Sequence, residues 1–280
     1  MAVELSTEEA EKALRGISIP PRPAILTQLT NEVRRDAPNL RTIAGLIAAD
    51  VGLAAATLKT VNSPFFGLTN KIGSMQQAVS LLGVRNITTL ATGLLLRNSV
   101  GGDKVSLERF WDSAEKVARI AAYIASTLPR ISRDDAYTFG LFHDCGMPVL
   151  MQKFPEYRET LRLANGSVSR PMTEVEDERH ATNHATVGYL LSRAWYLPDA
   201  ICEAILRHHD VLIFTRGDHI SPTARTLIAV VLLAEQINDE VLRMRNSPQW
   251  DMLGEQVLGH LGLDQAEYID LKEEVLNLNE

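Results

Sequence analysis

The chain has 280 residues, a formal net charge of −7, and 45% hydrophobic and 22% charged residues. This length and composition predict an ordered globular protein with one large or two modest hydrophobic cores. The acidic balance argues against an extended phosphate-binding surface, although it leaves room for a small local one. The two cysteines, Cys145 and Cys202, offer no disulfide framework and indicate a reducing compartment.

The hydrophobic stretches are too short for a membrane span. The longest uninterrupted apolar run, Leu227–Ala234, falls far below the roughly 20 residues that a transmembrane helix needs. The opening "MAVELSTEEAEKALRG" is acidic and amphipathic and lacks the apolar core of a secretion signal. We therefore expect a cytoplasmic protein with no membrane contact.

Helical periodicity dominates the first part of the chain, and strand-like alternation is almost absent. Three prolines, Pro20, Pro21 and Pro23, separate a polar N-terminal helix from a first core helix expected over residues 24–35. The stretches "NLRTIAGLIAAD" and "DVGLAAATLKTVNS" predict two short helices, and Asp50 is expected to cap the second.

The next helices end at the best candidate for a domain boundary. In "SMQQAVSLLG", Ser74 and Gln77 form a capping-box pattern, and Gly83 is expected to end the helix. A longer helix through "ITTLATGLLL" stops before "SVGGDK", residues Ser99–Lys104. A glycine pair followed by charge is typical of a linker, so the first domain is expected over residues 1–100.

The rest of the chain predicts a second helical domain over residues 105–245. Its helices are expected over 107–128, 133–151, 154–165, 182–195, 198–209 and 223–243. Loops are expected at "GSVSRPMT", residues 166–173, and at "TRGDHISPT", residues 215–223. A C-terminal extension over 246–280 offers one or two more amphipathic helices, the last capped by Asp264. The predicted fold class is therefore all-α.

The stretch Thr42–Asn62 has the helix spacing of a DNA-reading helix-turn-helix. The second helix of such a unit must present hydrogen-bonding side chains to base edges. Here it offers Gly52, Leu53 and several alanines, with Lys59 as its basic residue. In an acidic chain this pattern favours helix–helix packing over nucleic-acid binding.

Several histidines fall where the helical pattern expects buried residues. Apolar stripes lead to His143, His184 and His208, and a fourth stripe leads to Glu235. Taken singly, such a histidine is more often half-buried with one hydrogen bond than a metal ligand, and an "HH" pair can simply complement a helix dipole. Burial of unpartnered polar groups costs roughly 1–3 kcal/mol each, so convergence of the set would require mutual bonding or an ion.

At this set of residues the sequence resembles the HD superfamily of metal-dependent phosphohydrolases, and more closely its HDOD branch. The resemblance covers roughly Ser18 to Leu242 and is carried by "IPPRPAILTQLTNEV", "VNSPFFG", "IGSMQQAVSLLGVRNI", "GLFHDCGMPVL" and "HATVGYLLSRAWYLPDAICEAILRHH" in the family's order. It implies an N-terminal helical subdomain followed by an HD-like helical bundle. HDOD proteins are regarded as bacterial signal-transduction modules and are not established hydrolases.

The resemblance also implies a metal site with an altered ligand set. The positions that match metal ligands of the superfamily are His143, Asp144, His184, His208, His209 and Glu235. Ser113 stands where active HD enzymes carry their first histidine, Glu235 stands where they carry a distal aspartate, and Met147 stands where a lysine is common. The GYP signature is missing. Serine is a poor transition-metal ligand beside imidazole, and methionine cannot neutralise a phosphate oxygen. We therefore expect a degenerate site, with a structural or incidental divalent ion and no required cofactor.

These observations favour a non-catalytic signalling scaffold that binds proteins in trans or a small ligand. Its expected binding surfaces are the cleft around the histidines and the "NSPFFG" loop, with Asn62, Ser63, Phe65 and Phe66. For that loop, a helix C-cap with the two phenylalanines packing between subdomains is favoured over a direct contact role. A metal-dependent phosphohydrolase with an altered ligand set is the alternative function, and nucleic-acid binding through the N-terminal helices is a third that the acidic charge argues against.

Overall fold

The computed structural model describes residues 6–63, 68, 70–100, 107–128, 131–166, 170–215, 220–243 and 247–279. Every regular element in these ranges is a helix, which confirms the all-α prediction. The first helix is α1 (Thr7–Ala13). The chain divides into two compact units, one of residues 21–101 and a larger one of residues 1–20 and 102–278.

The smaller unit is built on one long helix. Its helices are α2 (Ala24–Val33), α3 (Leu40–Ala49), α4 (Val51–Val61) and α5 (Met75–Val100). Helix α5 packs against the other three, and Gly83, with a φ of 79°, interrupts it where the sequence predicts a helix end. The Asp50 carboxylate accepts a hydrogen bond from the Leu53 amide at 2.9 Å, which confirms the predicted N-cap.

One helix of this unit, Met75–Ser99, has the length and apolar composition to cross a membrane. Half of its most apolar window is buried inside the protein, and Gly83 breaks its helical backbone. Core helices of globular domains share these properties, so packing accounts for its hydrophobicity.

The larger unit is a helical bundle around one apolar helix. Its remaining helices are α6 (Glu108–Thr127), α7 (Arg133–Phe142), α8 (Gly146–Lys153), α9 (Tyr157–Gly166), α10 (Met172–His180), α11 (His184–Ala194), α12 (Asp199–Arg207), α13 (Pro222–Arg243), α14 (Pro248–Leu261) and α15 (Gln265–Asn279). In α13 the run Leu227–Ala234 is buried along its whole length, as in a central helix. Asp264 caps α15 as predicted, accepting from the amides of Ala266 and Glu267.

The prediction of one helix over 133–151 is wrong, because the chain turns at residues 143–145 and forms two helices, α7 and α8. Two glycines hold this turn against neighbouring helices. A Cβ at Gly140 would lie 2.8 Å from Ala118 Cα on α6, and a Cβ at Gly146 would lie 2.1 Å from the His184 carbonyl oxygen on α11. The turn is therefore fixed by backbone contacts that only glycine permits.

A second difference from the prediction is α10, which begins inside the loop expected over 166–173. Its sequence, "MTEVEDERH", is polar, and its buried residues are Val175 and Glu176. Because one of the two inward residues is charged, hydrophobic periodicity does not reveal this helix.

Candidate metal centre

Six side chains predicted as ligands come together in the larger unit. They are His143, Asp144, His184, His208, His209 and Glu235. They come from the turn between α7 and α8, the first residue of α11, the end of α12 and the middle of α13. Their ligand atoms form two groups that share Asp144, each group lying within 4.8 Å.

Three imidazoles, His184, His208 and His209, form what we call the histidine wall, which faces Asp144. The Asp144 Oδ1 atom lies 3.3 Å from His184 Nε2 and 3.4 Å from His208 Nε2. The His184 Nε2 atom lies 3.2 Å from His208 Nε2 and 3.0 Å from His209 Nε2. Ligand atoms at about 2.1 Å from a tetrahedral ion are about 3.4 Å apart, so these separations fit one ion.

His143 and Glu235 form the second group with Asp144. The His143 Nε2 atom lies 3.2 Å from Glu235 Oε1 and 3.5 Å from Asp144 Oδ2. Asp144 therefore offers one oxygen to each group. The side chains of Asp144 and Glu235 are 22% and 31% exposed, so solvent reaches the carboxylate side of the cluster.

Each of the four histidines directs Nδ1 to an oxygen outside the cluster. The pairs are His143 with Gly140 O at 2.8 Å, His184 with Glu176 Oε2 at 2.6 Å, His208 with Ile205 O at 2.8 Å, and His209 with Gln249 Oε1 at 3.1 Å. These oxygens accept hydrogen bonds, so each Nδ1 carries a proton and each Nε2 faces the cluster. Metal-binding histidines are oriented by outer hydrogen bonds of this kind.

Hydrogen bonds alone leave the inward-facing Nε2 atoms of the histidine wall poorly satisfied. A proton on His184 Nε2 faces three acceptors, namely Asp144 Oδ1 and the Nε2 atoms of His208 and His209. One proton makes one strong hydrogen bond, whereas one divalent cation would bind all four atoms. Imidazole combined with carboxylate suits iron, manganese or zinc, so the residues fit a transition-metal ion.

A buried carboxylate without a sequence motif orients the histidine wall. Glu176 on α10 is fully buried, and it accepts from His184 Nδ1 at 2.6 Å, from the His184 amide at 3.1 Å and from the Tyr157 hydroxyl. Burial raises the pKa of Glu176, but His184 and Tyr157 outweigh that effect and hold the pKa below its usual value. Glu176 is therefore an ionised outer partner of His184, and sequence analysis missed it.

Carboxylates set the protonation of two of the histidines. Burial lowers the pKa of His143, but Asp144 and Glu235 outweigh burial and raise the pKa to about 9. Burial likewise lowers the pKa of His184, but Glu176 and Asp144 raise it to about 10. Both imidazoles therefore carry a second proton, on Nε2, at neutral pH, and an ion would displace it.

The other two histidines are neutral. Burial lowers the pKa of His208 and of His209, and the positive charge of His184 adds to this effect. Burial raises the pKa of Asp144, but His143, His184 and His208 outweigh it and hold the pKa well below its usual range. At neutral pH the cluster thus offers two neutral imidazoles, His208 and His209, and an ionised carboxylate, whereas His143 and His184 must each lose a proton before they can bind an ion.

A cavity of about 430 Å³ opens onto the cluster. It is lined in part by Ser113, Met147 and Glu235, which we call the altered positions because they depart from the HD pattern. Phe110 and Met252 add apolar surface to the lining. The volume suits a small molecule. The lining combines polar atoms of the candidate metal-binding residues with apolar side chains.

The other predicted binding surface, the loop after α4, belongs to the smaller unit. Asn62 Nδ2 donates to Ile72 O at 2.9 Å, and Asn62 Oδ1 accepts from the Ile72 amide at 2.7 Å. Ser63 is buried, whereas Phe65 and Phe66 lie outside the described residues. Asn62 therefore has a structural contact across the loop, and ligand binding there stays a prediction.

Comparison with known proteins gives one family match. The family model described as the HDOD domain matches residues 19–211. Among curated proteins, an uncharacterized protein of Treponema pallidum (strain Nichols) is 24% identical over 237 residues, which cover 83% of this chain and 45% of that protein. This chain therefore spans less than half the length of that relative.

Two solved structures share the fold. A protein of Shewanella amazonensis SB2B with the provisional name phosphohydrolase matches with a TM-score of 0.71 at 19% identity, over 98% of this chain and 95% of its own. A protein of Marinobacter aquaeolei VT8 with the provisional name signal transduction protein matches with a TM-score of 0.70 at 22% identity, over 96% of this chain and 62% of its own. At these identities the likeness concerns the fold alone.

Proposed function

Because the chain belongs to the HDOD family, we propose that it is a signal-transduction module that holds a divalent metal ion and binds a small ligand beside it. It passes the signal to other proteins in trans in the bacterial cytoplasm. The observation that carries this proposal is the convergence of the Nε2 atoms of the histidine wall on Asp144.

The histidine wall and Asp144 would hold the ion, and His143 and Glu235 provide further ligand atoms. A bound divalent ion supplies concentrated positive charge that an anionic ligand group can bind. Glu176 holds the orientation of His184, and the cavity provides space for the rest of the ligand.

The altered positions favour binding without hydrolysis. Ser113 offers a hydroxyl where active relatives offer imidazole, and a hydroxyl is a weak transition-metal ligand. Met147 supplies no charge to a phosphate oxygen. The Glu235 carboxylate is bonded to His143 at 3.2 Å, so it is engaged within the cluster. These features support ion and ligand binding without efficient turnover.

The test combines metal content with activity. We expect purified protein to contain at least one iron, manganese or zinc ion per chain by elemental analysis, and Asp144→Ala to contain much less. Hydrolysis of cyclic dinucleotides and of bis-p-nitrophenyl phosphate should not exceed that of Asp144→Ala. Absence of stoichiometric ion after reconstitution with each metal would contradict the proposal.

A metal-dependent phosphohydrolase is the second candidate, and the sharing of Asp144 between two ligand groups favours it. Two-metal hydrolases place their ions about 3.5–4 Å apart and use them to hold the attacking and leaving oxygens. This function predicts metal-dependent turnover that His143→Ala abolishes. That outcome, with stoichiometric ion, would replace the non-catalytic proposal.

A further inference from the structure

Helix α14 lies beyond the family match, which ends at residue 211, and still reaches the histidine wall. Gln249, in its first turn, places Oε1 3.1 Å from His209 Nδ1 and donates from Nε2 to the His208 carbonyl oxygen at 2.7 Å. One side chain from the C-terminal extension therefore contacts two consecutive residues of the candidate metal site.

The contact with His208 determines the direction of the contact with His209. A main-chain carbonyl only accepts hydrogen bonds, so the amide nitrogen of Gln249 must face His208. The amide oxygen of Gln249 then faces His209 Nδ1, which must donate. The Nε2 atom of His209 is thereby left to face the cluster, 3.0 Å from His184 Nε2.

A second connection joins the start of α14 to the helix that carries Glu235. The Ser247 amide donates to Gln236 Oε1 at 3.0 Å, and Gln236 Nε2 donates to Glu240 Oε1 at 2.7 Å. Gln236 directly follows Glu235 on α13. The first residues of α14 are thus bonded beside ligands of both groups.

The same network continues into α15. The Glu240 carboxylate accepts from the Tyr268 hydroxyl at 2.7 Å and from Lys272 Nζ at 3.0 Å. The Tyr268 ring stacks on Trp250 of α14, with ring centroids 5.6 Å apart. A continuous set of described contacts therefore links the histidine wall to the last helix.

From this geometry we propose that Gln249 is a positioning residue of the metal site, and that it couples ion binding to the ordering of α14 and α15. The inference rests on the proposed function, because it requires an ion. Outer hydrogen bonds to metal-bound histidines typically change metal affinity 10–100-fold. Coupling between two sites is reciprocal, so an ion that depends on Gln249 must also stabilise the helix that carries it. Ion or ligand binding would then change the surface that α14 and α15 present to partner proteins.

The first test measures affinity for Zn²⁺ and Mn²⁺ in the full chain by chelator competition. Gln249→Met keeps the length of the side chain but removes the acceptor, so affinity should fall at least tenfold. Gln249→Glu keeps an acceptor for His209 but loses the donor to the His208 carbonyl oxygen, so it should recover only part of the loss. The matched control is Gln256→Met, which changes an exposed glutamine of the same helix and should leave affinity unchanged.

A double-mutant cycle separates positioning from general stability. In a His209→Ala background the imidazole that Gln249 orients is gone, so Gln249→Met should cause little further loss of affinity. An equal loss in both backgrounds would show that Gln249 does not act through His209 and would overturn the inference.

The second test measures hydrogen exchange of peptides from residues 247–279 with and without Zn²⁺. Addition of the ion should slow exchange in α14 and α15 of the wild type at least severalfold, and this response should be lost in Gln249→Met. If wild-type protein binds the ion but neither affinity nor exchange responds to Gln249→Met, the coupling is wrong while the proposed function stands. If wild-type protein binds no ion, both fail.

Discussion

The histidine wall belongs to the cluster of candidate ligands, whereas the altered positions line the cavity that opens onto it. Each imidazole of the wall has an outward hydrogen bond from Nδ1, to Glu176, to Ile205 O or to Gln249. The family resemblance places a hydroxyl and a thioether, at Ser113 and Met147, where active relatives carry an imidazole and an ammonium group. The contrast teaches that the hydrogen bonds that orient the candidate ligands lie on different residues from those that the family resemblance assigns to catalysis.

The largest effect is expected from Glu176→Leu, which removes the support behind the wall. The change leaves His184 Nδ1 and the Tyr157 hydroxyl buried without their acceptor. We expect the free energy of unfolding to fall by about 3–5 kcal/mol, as for other broken buried pairs. Chemical denaturation of the purified protein measures this change.

Glu176→Gln is the matched control, because it keeps one acceptor oxygen in a side chain of equal length. It should lose clearly less stability than Glu176→Leu. Equal losses would show that the volume at this position matters and that the hydrogen bond to His184 does not.

Ion affinity should rise with pH, because protons compete with the ion for Nε2 of His143 and His184. The pKa values of these imidazoles are raised to about 9 and about 10. Below those values each imidazole must lose a proton to bind the ion, so affinity should change by up to about tenfold per pH unit for each proton released.

Calorimetric titration with Zn²⁺ in two buffers of different ionisation enthalpy counts the released protons. We expect at least one proton per ion near neutral pH. Binding with no proton release would mean that the ion avoids both imidazoles.

Ser113→His tests whether the altered positions can be restored. An imidazole there adds a better transition-metal ligand to the cavity lining, so affinity for Zn²⁺ or Mn²⁺ should increase about tenfold. Hydrolysis of bis-p-nitrophenyl phosphate should rise above the Asp144→Ala background. Ser113→Asn adds polar volume without an imidazole and should change neither metal affinity nor hydrolysis. An equal gain in both variants would show that the imidazole is not the cause.

The smallest effect is expected in the smaller unit, which contains neither the histidine wall nor the altered positions. Asn62→Ala removes both hydrogen bonds to Ile72 and should lower the free energy of unfolding by about 1–2 kcal/mol. Ion affinity should not change. Asn98→Ala, at an exposed position of α5, is the control and should leave stability nearly unchanged in the same denaturation measurement.

Helical periodicity predicted that His143, His184 and His208 face the interior of the bundle, and all three are buried. Helical periodicity could not predict the residues that accept hydrogen bonds from the Nδ1 atoms. Glu176 is eight residues from His184, and Gln249 is 40 residues from His209, so only packing brings each pair together. Glu176 also lies on a helix whose polar sequence conceals its inward face.

The break at residues 143–145 has a similar origin. Local sequence supports one helix over 133–151, because its apolar residues keep helical spacing. The turn is decided by contacts of Gly140 with α6 and of Gly146 with α11, which local periodicity does not encode. That turn brings His143 and Asp144 close to the other candidate ligands.

The sequence by itself determined the all-α class and the N-caps at Asp50 and Asp264, since each depends on residue type and short-range spacing. The family resemblance named the six candidate ligands. The tertiary structure decided their distances, the outward Nδ1 hydrogen bonds and the reach of α14 to the histidine wall. The physical reason is that metal affinity depends on the relative positions of atoms held by separate helices, and those positions are set by packing of the whole bundle.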